Sequence, residues 1–498
     1  MGQYHFAIPD SERFAEESMI AAQIVGLEGI PWPCKTNRDG QQLNVFRNTD
    51  VSGRLLVPVR TTGFGEIALT TGTLPEVNEA YLLDVELARG TLSRLRNQVS
   101  IWQEGGLDID EDFQNRLDEL VEKFGGCLFP SAVTPAERTD RCIEVIDDAV
   151  ALMFEITQEF SRQIAEIHGA RSSHVPVIAG TVCDGQLTDQ ESESCQSEMV
   201  IQKMVQPQAS DNGDTSLDFQ HTDALIDWIA DAAEKSIRIA GPILQFDNTS
   251  LPDWMTETER FEERLDRAKQ LCRNFGNLYQ KRIKILHVTS GISGVGHEHF
   301  NYPQQLQMTL EMLEVLDQLM PNTSMMVSFD QPWGERLSMS PGGVQAMEIA
   351  DALLRYGARL SAIGLEFNLD YWPQGTLMRD PLQWVDMVDR WSQFGLPLAI
   401  YLTLPTGESS DNGQSRFTQT IRHSTDESGY REYLSTIFRL LARRPSVNVV
   451  AWRRMVDSDN QRFPLSGLVD SAGQVKPVSQ WFCDLLAGVK LETSNGPS

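Results

Sequence analysis

Two short stretches of this sequence place acids and amides where extended chain would aim them into one cavity. In IGLEFNLD, the residues Gly364, Glu366, Asn368 and Asp370 alternate with the apolar Ile363, Leu365 and Phe367, so in a strand the first set shares one face and the second set the other. In MMVSFDQPWGE, Ser328 and Asp330 share a face in the same way, and Gln331, Trp333 and Glu335 follow at the end of the run. Neighbouring carboxylates divide into acid and base or nucleophile when their surroundings push their pKa values apart. Glu366, with either Asp330 or Glu335, is therefore the candidate catalytic pair. Burying a carboxylate without a partner costs several kcal/mol, so Glu366 and Asp330 must be ion-paired, solvated by a cleft, or functional. The plain alternative for Glu366 is an ion pair with an arginine such as Arg453 or Arg454.

Aromatic residues stand beside these acids. Trp254, Trp333, Tyr371, Trp372 and Trp452 lie at or just beyond the ends of short apolar runs. Rings there either pack at a rim or stack on the apolar faces of pyranose units, with Gln331, Asn368 and His287 taking the hydroxyls. Trp384 and Trp391 fall at helical positions and read as core. In GVGHEHFN, the residues His297, Glu298 and His299 could join His287, Asp330 and Glu366 around a divalent cation, as in a sugar isomerase barrel. A loop histidine pair is more often solvated, however, and no diagnostic ligand spacing appears. DNGDTSLD (Asp211 to Asp218) lacks the glutamate that closes a calcium loop. No metal and no other cofactor is expected.

Something must position these residues. Short apolar runs recur at Val175 to Val182, Met199 to Met204, Ile237 to Phe246, Ile283 to Thr289, Ser324 to Phe329, Ala362 to Phe367, Leu398 to Leu404 and Val447 to Trp452. Helical stretches at Thr222 to Lys235, Gln304 to Leu319, Gly343 to Tyr356, Leu382 to Phe394 and Tyr430 to Ala442 separate most of them. Alternating strands and helices imply parallel strands joined by right-handed crossovers. Eight strands, with no glycine-rich phosphate loop after the first, favour an α/β fold of the (β/α)8 TIM barrel type over an open doubly wound sheet. Glu366 and Asn368 would then point into the barrel at its C-terminal mouth.

The first third reads differently. Residues 41 to 72 suggest three or four antiparallel strands, and Tyr81 to Trp102, Asp110 to Phe124 and Ala136 to Ile167 carry helical patterns. The expected organisation is a small α+β N-terminal domain over 1–169, a barrel over 170–490 and a disordered tail over 491–498. The N-terminal helices would either cap the barrel or pair two subunits into a homo-oligomer.

Composition narrows the partners. The 498 residues hold 42 Lys and Arg against 70 Asp and Glu, a net charge of −28. Such a surface repels nucleic acid and anionic membranes and suits a neutral ligand better than a phosphorylated one. Seven scattered cysteines, never spaced C-x-x-C, indicate neither a disulfide framework nor a zinc site and read as free thiols. MGQYHFAIPDSERFAEE has no basic region followed by an apolar stretch, and no apolar run approaches the length of a membrane span, so a cytoplasmic address is the expectation, with export not excluded by it.

From LDFQHTDALIDWIADAAEKSIRIAGPILQFDNTSLPDWM (Leu217 to Met255) onward, the sequence resembles the family-ten glycoside hydrolases, the endo-1,4-β-xylanase family. Arg238, Gly241, Leu251, Pro252 and Trp254 keep that family's third-strand pattern, and Pro242 stands where its sugar-binding His would be. IGLEFNLDYWP and GLPLAIYLTLPTG resemble strands six and seven, and FPLSGLVDSAGQVKP (Phe463 to Pro477) resembles the closing Gly-Leu-x-Asp-x-x-Gly-x-x-Lys-Pro. The likeness covers roughly 300 residues in the right order. It implies a barrel with a carbohydrate ligand and two carboxylates about 5 to 5.5 Å apart, one donating a proton and one attacking the sugar carbon. Here Ser290 and Gly291 fall at the family's Asn-Glu, and Tyr401 and Leu402 fall at its Thr-Glu. The second-strand Lys-Trp is replaced by Ile201 and Gln202, and Gln206 precedes Pro207.

Two readings follow. In one, the barrel acts on a β-linked, xylan-like saccharide with Glu366 and Asp330 or Glu335 as relocated acids. In the other, it is a non-catalytic carbohydrate-binding protein or scaffold that kept the cleft and lost the chemistry.

Overall fold

The computed structural model describes residues 2–9, 12–129, 134–169, 178–181, 239–247, 251–406, 427–457 and 462–494. Two small, largely antiparallel sheets open the chain. In one, β1 (Gly2–Ala7), β3 (Cys34–Asp39), β4 (Gln42–Arg47) and β7 (Tyr81–Leu82) lie in the order β3-β4-β1-β7. In the other, β5 (Arg54–Thr61) lies between β2 (Gln23–Val25) and β6 (Gly65–Thr70). The antiparallel strands expected in 41–72 are β4, β5 and β6; β1, β2 and β3 precede them. Helices Leu83–Glu104, Glu111–Cys127 and Pro135–Gly169 follow, within a few residues of the stretches marked by apolar periodicity. Asp110 caps the second of these, its side chain accepting from the Phe113 N–H at 2.7 Å.

The remainder is α/β. Strands β8 (Ile178–Thr181), β9 (Ile239–Ala240), β11 (Ile285–His287), β13 (Ser324–Asp330), β14 (Ala362–Asn368), β15 (Leu398–Thr403) and β16 (Val447–Trp452) form one curled parallel sheet. Its order is β8-β16-β15-β14-β13-β11-β9. A shorter pair, β10 (Leu244–Gln245) with β12 (Thr289–Ser290), continues the third and fourth runs beyond β9 and β11. Both faces of β9 to β16 are covered, which is why the sequence shows short apolar runs there. The first strand lies beside the last, a cyclic order, whereas an open doubly wound sheet keeps its first strand in the interior. The expected second strand, Met199 to Met204, and the helix Thr222 to Lys235 lie outside the described residues.

Caps set where the chain turns from strand to helix. Asn301 and Gln304 close a capping box on helix Tyr302–Leu319, and Asp380 with Pro381 starts Pro381–Ser392. The closing helix, Pro477–Ser494, runs four residues into the segment expected as a tail, and buries Leu485 and Leu486.

One hydrophobic core runs from Tyr4 to Leu486 through both parts of the chain. Phe154, on the long helix Pro135–Gly169, stacks on Phe64 at 3.8 Å and meets Tyr433 at 5.8 Å. Arg94 reaches 2.8 Å from the buried Asp380, so the N-terminal segment also grips a cap of the parallel sheet's helical layer.

Inside the sheet's curve, Ile239, Met326, Ala399, Tyr401, Val449 and Ala451 pack as an apolar floor. Gly364 lies level with Ser328 and Ala399 on the strands either side. A Cβ there would stand 2.5 Å from the Ser328 Cβ and 3.1 Å from the Tyr401 ring. Gly364→Ala should therefore lower stability by about 1–3 kcal/mol through overpacking, read as a fall in Tm by calorimetry; an unchanged Tm would show that this floor is looser than described.

Candidate functional site

Above the floor, Glu366 is buried and held from three directions. Its Oε1 accepts from the Gly291 N–H at 2.9 Å and from the Ser328 hydroxyl, and its Oε2 pairs with the Arg453 guanidinium. Gly291 sits at φ 70°, a left-handed conformation that glycine adopts freely, and its position brings the N–H onto the carboxylate. Arg453 immediately follows β16 and donates its own N–H to the Leu402 carbonyl at 2.8 Å. Burial alone would raise the Glu366 pKa. The Arg453 charge and the hydrogen bonds from Ser328, Arg453 and Gly291 outweigh it and hold the carboxyl below the usual range.

Ser328 Oγ also lies 2.9 Å from His287 Nε2, and the His287 ring stacks on Tyr401 with centroids 6.0 Å apart. A hydroxyl has one proton, and the short contact with Glu366 Oε1 gives it to the carboxylate. Burial pushes His287 down to about 4, with Glu366 opposing that shift, so the imidazole is neutral at pH 7. Burial, then the charge of Glu366, pushes the Tyr401 phenol up.

Asp330 is the registered neighbour of Glu366 on the adjoining strand. Neighbouring parallel backbones stand about 4.8 Å apart. Asp330 is bound as well: Oδ1 accepts from Asn368 Nδ2 and from the Gln331 N–H, both at 2.9 Å, and Oδ2 lies 2.8 Å from Arg462 Nη2. Gln331 holds φ 48°, kept there by its amide donating to the Gly375 carbonyl at 2.9 Å and the Pro373 carbonyl at 3.2 Å.

Glu335 lies apart from this pair in the outer layer. It starts a short 3-10 turn, is fully buried, and pairs with Arg379 at 2.8 Å. Burial raises its carboxyl and Arg379 offsets the rise in part. The Arg379 guanidinium also covers Trp333, which packs edge-on against Phe367 and Trp384, each at 4.9 Å.

The structure buries the other expected platforms. Trp372 packs with Ala21, Val25, Leu56, Ala68 and Leu377 against the N-terminal sheet. Trp452 meets Phe482 at 5.2 Å and donates to the Ser466 carbonyl, and Tyr371 donates to the Pro464 carbonyl at 2.6 Å. Trp254 is only partly buried. Thus Glu366, Asp330, Asn368, His287 and Gln331 gather around one mouth, while Glu335, Trp333, Tyr371, Trp372 and Trp452 belong to the packed surround.

Some mouth residues had no counterpart in the expectations. Thr403, level with Asn368, faces the interior, whereas Leu402 packs among the outer apolar side chains. Thr289 bonds outward to Thr309 at 3.2 Å, which turns Ser290 inward. The Ser290, Asn368 and Thr403 side chains each keep a buried oxygen (Oγ, Oδ1 and Oγ1) without a partner among the described residues. Arg462 and Arg336 come from loops that carry no periodicity. His297, considered above for a metal, instead lies 3.3 Å from the Gly291 carbonyl. Among the described residues no group of three or more His, Cys, Asp or Glu is arranged to hold a metal ion. Nor is any described helix long and apolar enough to cross a membrane.

No family model matches the chain. No curated protein matches it either. Among solved structures it is similar to native xylanase 10B from Thermotoga maritima, with 15% identity and a TM-score of 0.46 over 66% of this chain and 99% of that one. It is also similar to xylanase 10B from Thermotoga petrophila RKU-1 in complex with xylobiose, with 15% identity, a TM-score of 0.45 and coverage of 66% and 97%. A third is xylanase XynB from Paenibacillus barcinonensis complexed with a conduramine derivative, with 15% identity, a TM-score of 0.46 and coverage of 62% and 95%. These likenesses are too distant to carry a family, and the architecture rests on strand order.

Two outcomes follow from the electrostatics. Between the unfolded His value of about 6.5 and the native value of about 4, the unfolded chain binds a proton that the native chain refuses, so stability falls as pH drops through that window. His287 alone should remove of order 3 kcal/mol between pH 7 and pH 4 in denaturant titrations, and His287→Asn should flatten that slope. Arg453→Leu strands the Glu366 charge and should cost about 3–5 kcal/mol at pH 7. The loss should shrink near pH 4, where the stranded carboxyl is protonated; an equal loss at both pH values would contradict the pairing.

Proposed function

We propose that this mouth binds a β-linked, xylan-like oligosaccharide and holds it without cutting it. The observation that carries the reading is the set of buried oxygens on Ser290, Asn368 and Thr403 that have no partner among the described residues, standing beside two carboxylates fixed in place by arginines. A buried polar atom with no partner costs about 1–3 kcal/mol, and a ligand rich in hydroxyls supplies the missing bonds. The choice of sugar rests on the sequence resemblance, and Trp254 would provide the stacking face. This reading also takes the parallel sheet as a complete (β/α)8 barrel over 170–490, supported by the adjacency of its first and last strands, with 1–169 as a separate α+β domain that caps it or pairs two subunits.

Hydrolysis needs a group that gives up a proton at the glycosidic oxygen. Glu366 is held ionised, so it serves as a fixed acceptor for sugar hydroxyls and not as the donor. A second reading, turnover by Glu366 with Asp330, is favoured by one observation, their register on adjacent strands.

Titration calorimetry with xylotetraose, run beside a long reducing-sugar assay, separates the two. The expected result is binding without product, weakened about tenfold by Asn368→Ala. Steady sugar release abolished by Glu366→Gln would replace holding with hydrolysis, and absence of binding by any xylo- or cello-oligosaccharide would end both readings.

A further inference from the structure

Helices Glu111–Cys127 and Pro135–Gly169 pack antiparallel, and a row of contacts fixes how they face each other. Arg116 Nη1 lies 2.9 Å from Glu155 Oε2, Lys123 reaches Glu144 at 2.7 Å and Asp148 at 3.2 Å, and a Cβ on Gly126 would stand 3.7 Å from Arg141 Nη1. The next step along that row pairs Cys127, the last residue of its helix, with Cys142. Both are buried, and their thiols are hydrogen-bonded to each other. The other described cysteines sit on separate elements: Cys34 on β3, Cys272 on helix Phe261–Tyr279 and Cys483 on the closing helix.

Sulfurs in contact across two helices need little movement to reach the geometry of a disulfide. Burial, then the neighbouring Cys127, raises the Cys142 thiol, so the closed helix pair reacts slowly. Access comes from the helix end. Leu128 and Phe129, directly beyond Cys127, are exposed, and a terminal turn opens locally at small cost. A peroxide is small enough to use that opening.

We propose that Cys127 and Cys142 form a peroxide-sensitive modification site, oxidised to a disulfide that latches the two helices together. The Cys127 thiolate attacks one oxygen of the peroxide, the O–O bond breaks, and the departing hydroxide takes up a proton and becomes water. Reclosure sets the resulting sulfenic acid beside Cys142. The Cys142 sulfur then attacks the Cys127 sulfur, the S–O bond breaks, and the hydroxyl leaves as water with the Cys142 proton. Two thiols are oxidised and one peroxide is reduced. The second helix is already tied to the parallel part of the fold, through Phe154 against Tyr433 and through Gln158, which donates to Thr436 at 2.9 Å. The first is held to it on the outside by largely exposed ion pairs, which contribute little, so the latch acts mainly on the first helix. None of this depends on the sugar-binding reading.

The test treats the reduced full chain with hydrogen peroxide, without denaturant, until Cys34 is oxidised, then alkylates the remaining thiols and maps the peptides by mass spectrometry. The expected product is a cross-link joining Cys127 to Cys142. Hydrogen exchange across Glu111–Cys127 should slow by at least about tenfold in the oxidised chain and recover on reduction. In Cys142→Ala the chemistry should stop at a Cys127 sulfenic acid that dimedone traps, with no slowing of exchange. Recovery of both thiols free, a cross-link of either to another cysteine, or a sulfinate at Cys127 in the wild-type chain would overturn the site. A Cys127–Cys142 cross-link that leaves exchange unchanged would overturn the latch.

Discussion

A carboxylate buried at the centre of a parallel sheet needs counter-charge and hydrogen bonds, and Glu366 draws them from separate strands. Gly291 follows β12, Ser328 lies on β13, Glu366 itself on β14, and Arg453 follows β16. Each supply imposes a local condition. Gly291 must hold a left-handed φ, Gly364 must lack a side chain so that Ser328 can stand close, and the chain must turn straight from β16 into an arginine. A buried ion pair is weak evidence of net stability, since an apolar replacement of the same shape would often do as well. What this one does is fix registers: sliding any of these strands by one residue would turn its contribution to the opposite face.

The same arrangement limits the chemistry. Acid–base catalysis by two carboxylates works when one keeps its proton near neutral pH and the other does not. At this mouth Glu366 is pulled toward ionisation by Arg453, and its neighbour Asp330 is gripped by Arg462. The carboxyl that burial does raise, Glu335, is sealed in the outer layer with Arg379. Where an acid group would have to meet a sugar oxygen, the strand tips offer Ser290, Gly291, Tyr401 and Thr403. On the proposed reading, fixed acceptors and hydroxyls of this kind would specify a ligand through hydrogen bonds.

Strand positions were legible in the sequence because parallel strands covered on both faces read as short apolar runs, and Val447 to Trp452 matches β16 residue for residue. Alternation also placed Glu366 and Asn368 on the inward face, and Arg453 stood among the partners considered for Glu366. The aromatic rim was not legible. A tryptophan at a strand end looks alike whether it faces a ligand or a helix, and Trp333, Trp372 and Trp452 turned to helices and to the N-terminal sheet. Arg462 and Arg336 were invisible for a different reason, since they arrive on loops and only the fold brings them to Asp330. Strand seven shows how a linear reading slips: aligning Leu402 with a catalytic position ignored that Tyr401 and Thr403 carry the inward face there.

The N-terminal third bears on the mouth indirectly. Trp372, in the loop that follows β14 and supplies Gly375, packs against Ala21, Val25, Leu56 and Ala68. That loop gives Gln331 its carbonyl acceptor at Gly375, and Gln331 in turn presents its backbone N–H to Asp330 and its side-chain oxygen to Arg336. Each link is a buried contact or a hydrogen bond between backbone and side chain, the kind of connection that holds a strained φ in place. The sheets of the first hundred residues therefore brace the loop that orients both Asp330 and the Arg336 backbone. This gives residues 1–169 a mechanical role that their own sequence, with no catalytic motif, does not announce.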